Sequence, residues 1–92
     1  MDPLEWRLDG NAAAGLLMEL FGREMTEELT ICATCRAEHP IGRLLVYTYG
    51  MGTIIRCASC GSVQIRVTEI RGRVAIEMRG VGTLRARARA QQ

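Results

Sequence analysis

Lysine is absent from this 92-residue sequence, and all twelve basic residues are arginine. Aromatic residues are nearly absent too, limited to Trp6, Phe21, Tyr47 and Tyr49. There is one histidine, His39, and no long apolar run. Each absence excludes something. With four aromatics, the core must be built from Leu, Ile, Val, Ala and Met, and a base-stacking nucleic-acid platform is hard to assemble. With one histidine, no convincing Ser–His–Asp set can be put together, so the chain is not expected to be an enzyme. The longest apolar-rich stretch, residues 12–21, is interrupted by Gly15 and Glu19 and is too short to span a bilayer. The start, "MDPLEWRLDG", is acidic and lacks the basic-then-apolar order of a signal peptide. The expectation is therefore a soluble cytoplasmic protein with no membrane partner and no small-molecule substrate.

Charge is unevenly divided. Residues 1–35 hold seven acids and two arginines, whereas residues 36–92 hold three acids and ten arginines. Two readings follow: the parts neutralise each other across one fold, or the C-terminal part meets an anion. Arg36, Arg43, Arg56, Arg85, Arg87 and Arg89 are the candidates for such an anion surface. A lysine-free, Ala- and Arg-rich composition is also what a GC-rich coding genome produces, so the arginines alone do not indicate a ligand.

Ninety-two residues make one small domain with a thin core. Domains of this size commonly need a staple. We divide the chain into a helical N-terminal segment (1–28), an antiparallel β ribbon (29–82) and a frayed basic tail (83–92). In "NAAAGLLMELFG", Ala13, Leu16, Leu17, Leu20 and Phe21 recur on one helical stripe. Asp9 or Asn11 is placed to cap its start, and Gly22 to end it. So short a helix must pack on something. Leu16, Leu17, Leu20 and Phe21 are accordingly candidates for a protein-docking face. Trp6 is assigned to covering the core, and Glu27 and Glu28 to a solvated face.

Beyond Gly22 the period changes to two. "LTIC" (29–32), "RLLVYTY" (43–49), "TIIRC" (53–57), "SVQIRVTEI" (62–70) and "RVAIEMR" (73–79) read as strands. Arg71-Gly72 suits a two-residue hairpin turn. It sets 70 opposite 73, 68 opposite 75 and 66 opposite 77. Val67 then meets Ile76 and Ile65 meets Met78 on a buried face, with Arg66 opposite Glu77 outside. The glycine pairs at 50–52 and 80–82 lack the context of a phosphate loop and read as turns.

All four cysteines fall in two identical spacings, "CATC" (32–35) and "CASC" (57–60), giving C-x2-C-x21-C-x2-C. Two residues between thiolates let both sulfurs of one turn face a single ion, and a second turn completes a tetrahedron. Cys32, Cys35, Cys57 and Cys60 are thus the expected ligands of a structural Zn2+. Gly61 follows the second pair where the backbone must turn its amides toward sulfur, but Arg36 stands at the equivalent place in the first. Alternatives remain open. A redox dithiol would need a helix behind one pair; two disulfides would need an oxidising compartment. Iron in place of zinc would make a rubredoxin-like electron carrier, although the proline of that motif is missing at Ala58-Ser59. His39 reads as an exposed loop residue rather than a ligand.

"LDGNAAAGLLMELFG", the two cysteine pairs and "RVAIEMRGVGTL" together resemble an uncharacterised bacterial family, domain of unknown function 6510, over residues 8–84. The resemblance implies a zinc-ribbon-like centre with the metal at the four cysteines, and no assigned activity. The occurrence of such genes beside flavin-dependent reductases and sulfite-oxidase-like enzymes implies an accessory role with an oxidoreductase partner. The expected fold is therefore mainly β with one N-terminal helix, a zinc ribbon with rubredoxin-like knuckles and an extended antiparallel sheet. The expected function is a non-catalytic protein-interaction module. A nucleic-acid-binding ribbon and an iron electron carrier are the alternatives.

Overall fold

Alternation on both sides of Arg71-Gly72 produces the hairpin it predicts. The structure, a computed structural model, describes residues 8–9, 14–50 and 52–86. In chain order it contains β1 (Leu8–Asp9), α1 (Ala14–Phe21), β2 (Leu29–Cys32), β3 (Glu38–Pro40), a 3-10 turn (Ile41–Arg43), β4 (Leu45–Tyr49), β5 (Gly52–Arg56), β6 (Val63–Ile70), β7 (Arg73–Glu77) and β8 (Val81–Arg85). β6 and β7 pair with Ile70 opposite Arg73, Thr68 opposite Ala75 and Arg66 opposite Glu77. Arg71 and Gly72 both have positive φ, 54° and 77°, as the tight turn that matches strand twist requires.

Two antiparallel sheets share the strands. A five-stranded sheet runs β1-β4-β5-β6-β7, and a three-stranded sheet runs β3-β2-β8. Leu17, Met25, Ile41, Leu44, Val46, Ile55, Ile65 and Val67 form the core, with Leu16, Leu20, Phe21, Met78, Val81 and Leu84 packed against it. The core is aliphatic, as the scarcity of aromatics demands. Gly22 closes α1 at φ 72°, its N–H bonded to the Met18 carbonyl at 2.8 Å.

Several expectations are corrected. Leu17 is wholly buried and its stripe neighbours pack on the core. The helix therefore uses its apolar stripe to cover the sheet, and Leu17 is no docking residue. Strand β7 is exposed along its whole length: Val74 and Ile76 keep 47% and 38% of their surface. Their register sets them opposite Glu69 and Val67, on the core face, yet they stay exposed there. Met78 lies past the end of β7, so its pairing with Ile65 does not form. Residues 83–85 are not a frayed tail but part of β8, paired along β2 from Leu29–Arg85 to Ile31–Thr83. Glu28 is buried and ion-paired to Arg23 at 3.0 Å rather than solvated. Trp6, Asn11, Ala13, Arg87 and Arg89 lie outside the described residues, so the readings on them do too.

Candidate metal centre

Each cysteine pair sits at the tip of a hairpin. β2 delivers Cys32 into the first turn and β3 leads away; β5 delivers Cys57 into the second and β6 leads away. The two tips have the same backbone. In the first, Arg36 N–H donates to Cys32 O at 3.0 Å and Cys32 N–H to Ala37 O at 3.0 Å. In the second, Gly61 N–H donates to Cys57 O at 3.0 Å and Cys57 N–H to Ser62 O at 2.8 Å. Arg36 and Gly61 occupy the same left-handed position, φ 68° and 79°. The missing glycine thus leaves the knuckle geometry intact.

The tips face each other. Cys32 Sγ lies 3.7 Å from Cys60 Sγ, and Cys35 Sγ 3.7 Å from Cys57 Sγ. All four sulfurs fall within 4.8 Å of one another. Four sulfurs at about 2.3 Å from a common tetrahedral centre are about 3.8 Å apart, so the donor set fits one ion. At these separations no disulfide is formed, and all four thiols are free. Neither pair opens a helix, so the helix N-terminus that commonly supports a redox dithiol is missing.

Hydrogen bonds to sulfur are unequal. Cys32 Sγ accepts from Thr34 N–H (3.3 Å), Cys35 N–H (3.4 Å) and Gln64 Nε2 (3.3 Å), with Ser62 Oγ at 3.4 Å. Cys57 Sγ accepts from Ser59 N–H at 3.3 Å. Ser62 Oγ is also 3.2 Å from Cys60 Sγ and accepts from Gln64 Nε2 at 3.3 Å. The Ser62 hydroxyl, with the Cys35 and Thr34 amides, pulls the Cys32 thiol down to about 5. Cys60 is lowered by the same hydroxyl. Cys35 is pushed up to about 11: an Ala37 amide bond favours its thiolate, but desolvation and the neighbouring sulfurs outweigh it. Donors aimed at sulfur stabilise the negative charge a tetrathiolate carries.

Sequence reasoning found the four sulfurs and missed their supports. Gln64, assigned to the outer face, is buried because a bulge at Ile55/Arg56 turns it inward. Its Oε1 is buried with no hydrogen-bond partner among the described residues. His39 is in β3, not a loop, and its Nε2 is 2.8 Å from Ser59 Oγ, joining the two tips. Gly80 and Gly82 are there for close approach. A Cβ on Gly80 would lie 1.8 Å from Val63 O, and one on Gly82 3.3 Å from Ile31 O. With Ala33 N–H bonded to Gly80 O at 2.9 Å, this segment runs against both hairpins. Gly80 lies in the turn that the glycine pair predicts, closed by Val81 N–H to Met78 O at 3.1 Å, whereas Gly82 is inside β8.

The arginines do not converge. Arg56 donates to Gly61 O at 2.9 Å and lies 5.7 Å over the Tyr47 ring, so it braces the second tip. Arg85 pairs with Glu38 at 3.4 Å. Arg36 and Arg43 are exposed on different elements. No common anion site forms from these four.

A family model described as a family of unknown function (DUF6510) matches residues 3–89. The chain belongs to that family. No curated protein and no solved structure matches the chain. Among the described residues no helix is long and apolar enough to cross a membrane.

Proposed function

We propose that this member of DUF6510 is a small, non-catalytic zinc ribbon that serves as a protein-interaction or accessory module. The carrying observation is the 3.7 Å spacing of sulfurs donated by two matching hairpin tips. Cys32, Cys35, Cys57 and Cys60 would hold Zn2+ and leave no coordination position for water or substrate. The metal's contribution is then to folding: it fastens two hairpins whose shared core is thin. The support for an interaction role is the set of apolar side chains left outside, Met18, Ile70, Val74 and Ile76. An oxidoreductase remains the partner class that the family resemblance suggests.

Elemental analysis and native mass spectrometry test the metal. One zinc per chain is expected. A coloured protein with one iron would support the electron-carrier reading, which the left-handed residues and N–H···S bonds of both tips favour as a second choice. A metal-free, chelator-indifferent folded chain would reject both. The nucleic-acid reading is weakened by the engagement of Arg56 and Arg85.

A further inference from the structure

Strand β7 ends the five-stranded sheet, and none of the described strands pairs with its outer edge. Its sequence is Arg73-Val74-Ala75-Ile76-Glu77. We propose that this edge pairs antiparallel with the β7 of a second copy, centred on Ala75, to make a twofold dimer with one continuous ten-stranded sheet. The proposal names a partner for the interaction-module reading but does not depend on the metal.

Backbone alternation limits the registers. A two-residue turn makes its flanking residues, Ile70 and Arg73, a hydrogen-bonded pair. Ala75 and Glu77 then also direct N–H and C=O toward β6. The groups of Val74 and Ile76 face outward. A second strand must therefore bring its own 74 and 76 opposite these. Three registers do so, with the twofold axis at 74, 75 or 76.

Charge chooses among them. With the axis at Ala75, Arg73 faces Glu77 of the copy and Glu77 faces its Arg73, so both ends of the contact are complementary. With the axis at 76, Arg73 would face Arg79. With the axis at 74, Arg73 would face Ala75 and Glu77 would fall opposite Arg71 in the turn. The Ala75 register also sets Val74 opposite Ile76 twice, in hydrogen-bonded positions, and leaves small alanines at the axis. A C2 contact has to be self-complementary in this way.

The side chains agree. Val74 and Ile76 lie opposite Glu69 and Val67, on the face that α1 covers; a shallow groove there is lined by Leu16, Leu20, Val67 and Val74. Opposed residues point to the same side of a sheet. Two Val74 and two Ile76, 47% and 38% exposed in the single chain, would thus join in one apolar patch. The edge has no lysine, proline or bulge, and its two charges, Arg73 and Glu77, attract rather than repel in the Ala75 register. Addition of a strand to such an edge is an established recognition mode.

Sedimentation equilibrium of the full chain, from about 1 µM to about 500 µM, tests this. A species of twice 10.2 kDa is expected. Arg73→Glu alone and Glu77→Arg alone each place like charges face to face twice, and should weaken association by roughly tenfold or more. An equimolar mixture of the two variants restores both pairs and should associate at least as well as the original chain. Zinc content and circular dichroism of each variant should match the original, which separates loss of pairing from loss of the metal site. A monomer throughout the range overturns the proposal. Folded variants that do not associate when mixed, or single variants as dimeric as the original, overturn it as well.

Discussion

The two cysteine turns have the same backbone and different residues at the position that most constrains it. Gly61 occupies the left-handed conformation at no steric penalty; Arg36 holds nearly the same φ with a Cβ. The surroundings differ in the opposite sense. Cys32, beside the strained residue, has contacts from Thr34, Cys35, Gln64 and Ser62. Beside the relaxed residue, Cys57 has the Ser59 amide. Local propensity thus explains the second turn. The first is held by what it points its sulfur at: a strand residue turned inward by a bulge, a neighbouring hydroxyl and, on our reading, a metal.

Removing the metal should erase the comparison altogether. Apparent zinc affinities in small tetrathiolate domains are worth about 10–16 kcal/mol, more than a thin core of this size supplies. Excess chelator at neutral pH should abolish the cooperative thermal transition followed by circular dichroism. The ligands should not be equivalent. Cys32 and Cys57 are buried, Cys35 and Cys60 exposed. Cys32→Ser should eliminate binding, because water cannot take the vacated place. Cys60→Ser leaves a solvent-facing gap that water can fill, and native mass spectrometry should still find metal at reduced occupancy. Equal losses would show that burial does not rank the sulfurs.

Next in size is the strap between the turns. In Gly80→Ala the new methyl would meet backbone, Val63 O at 1.8 Å, which no rotamer change relieves. A loss of about 3 kcal/mol or more is expected in denaturant unfolding. Gly82→Ala meets Ile31 O at 3.3 Å, a contact that a few tenths of an ångström relieve, and should be milder.

These glycines also show where the sequence stopped being legible. The cysteine cluster, the helix and the β6–β7 register could be read because each is encoded locally: a spacing, a stripe, a turn between alternating runs. Gly80 and Gly82 answer to backbone far away in the chain, Val63 and Ile31, and nothing in their neighbourhood says so. Three-residue β3 is too short for alternation to show, and β8 is interrupted by Gly82; pairing with β2 defines both. Gln64 sits in an unbroken alternation, yet one shifted hydrogen-bond register buries it. Periodicity assigned Val74 and Ile76 to the correct face but could not show that they stay exposed at the sheet's edge. The arginines failed for a related reason: Arg56 and Arg85 were occupied by Gly61, Tyr47 and Glu38, partners visible only after folding.

The smallest test exchanges the two left-handed residues. Holding a residue with a Cβ in this conformation costs about 1–2 kcal/mol. Gly61→Arg should therefore lower stability by about that amount while leaving zinc stoichiometry unchanged, since Arg36 shows that the turn accepts the residue. Arg36→Gly removes the same strain but adds backbone freedom to the unfolded chain, which offsets roughly half of it. A net gain of about 0.5–1 kcal/mol is expected, seen as a rise of several degrees in Tm for a domain this small. Among the described residues no partner hydrogen-bonds the Arg36 side chain, and it is exposed. A fall in stability on Arg36→Gly would mean that the guanidinium stabilises the nearby thiolate charge by more than its backbone strain. The two turns would then differ in electrostatics rather than in conformational ease.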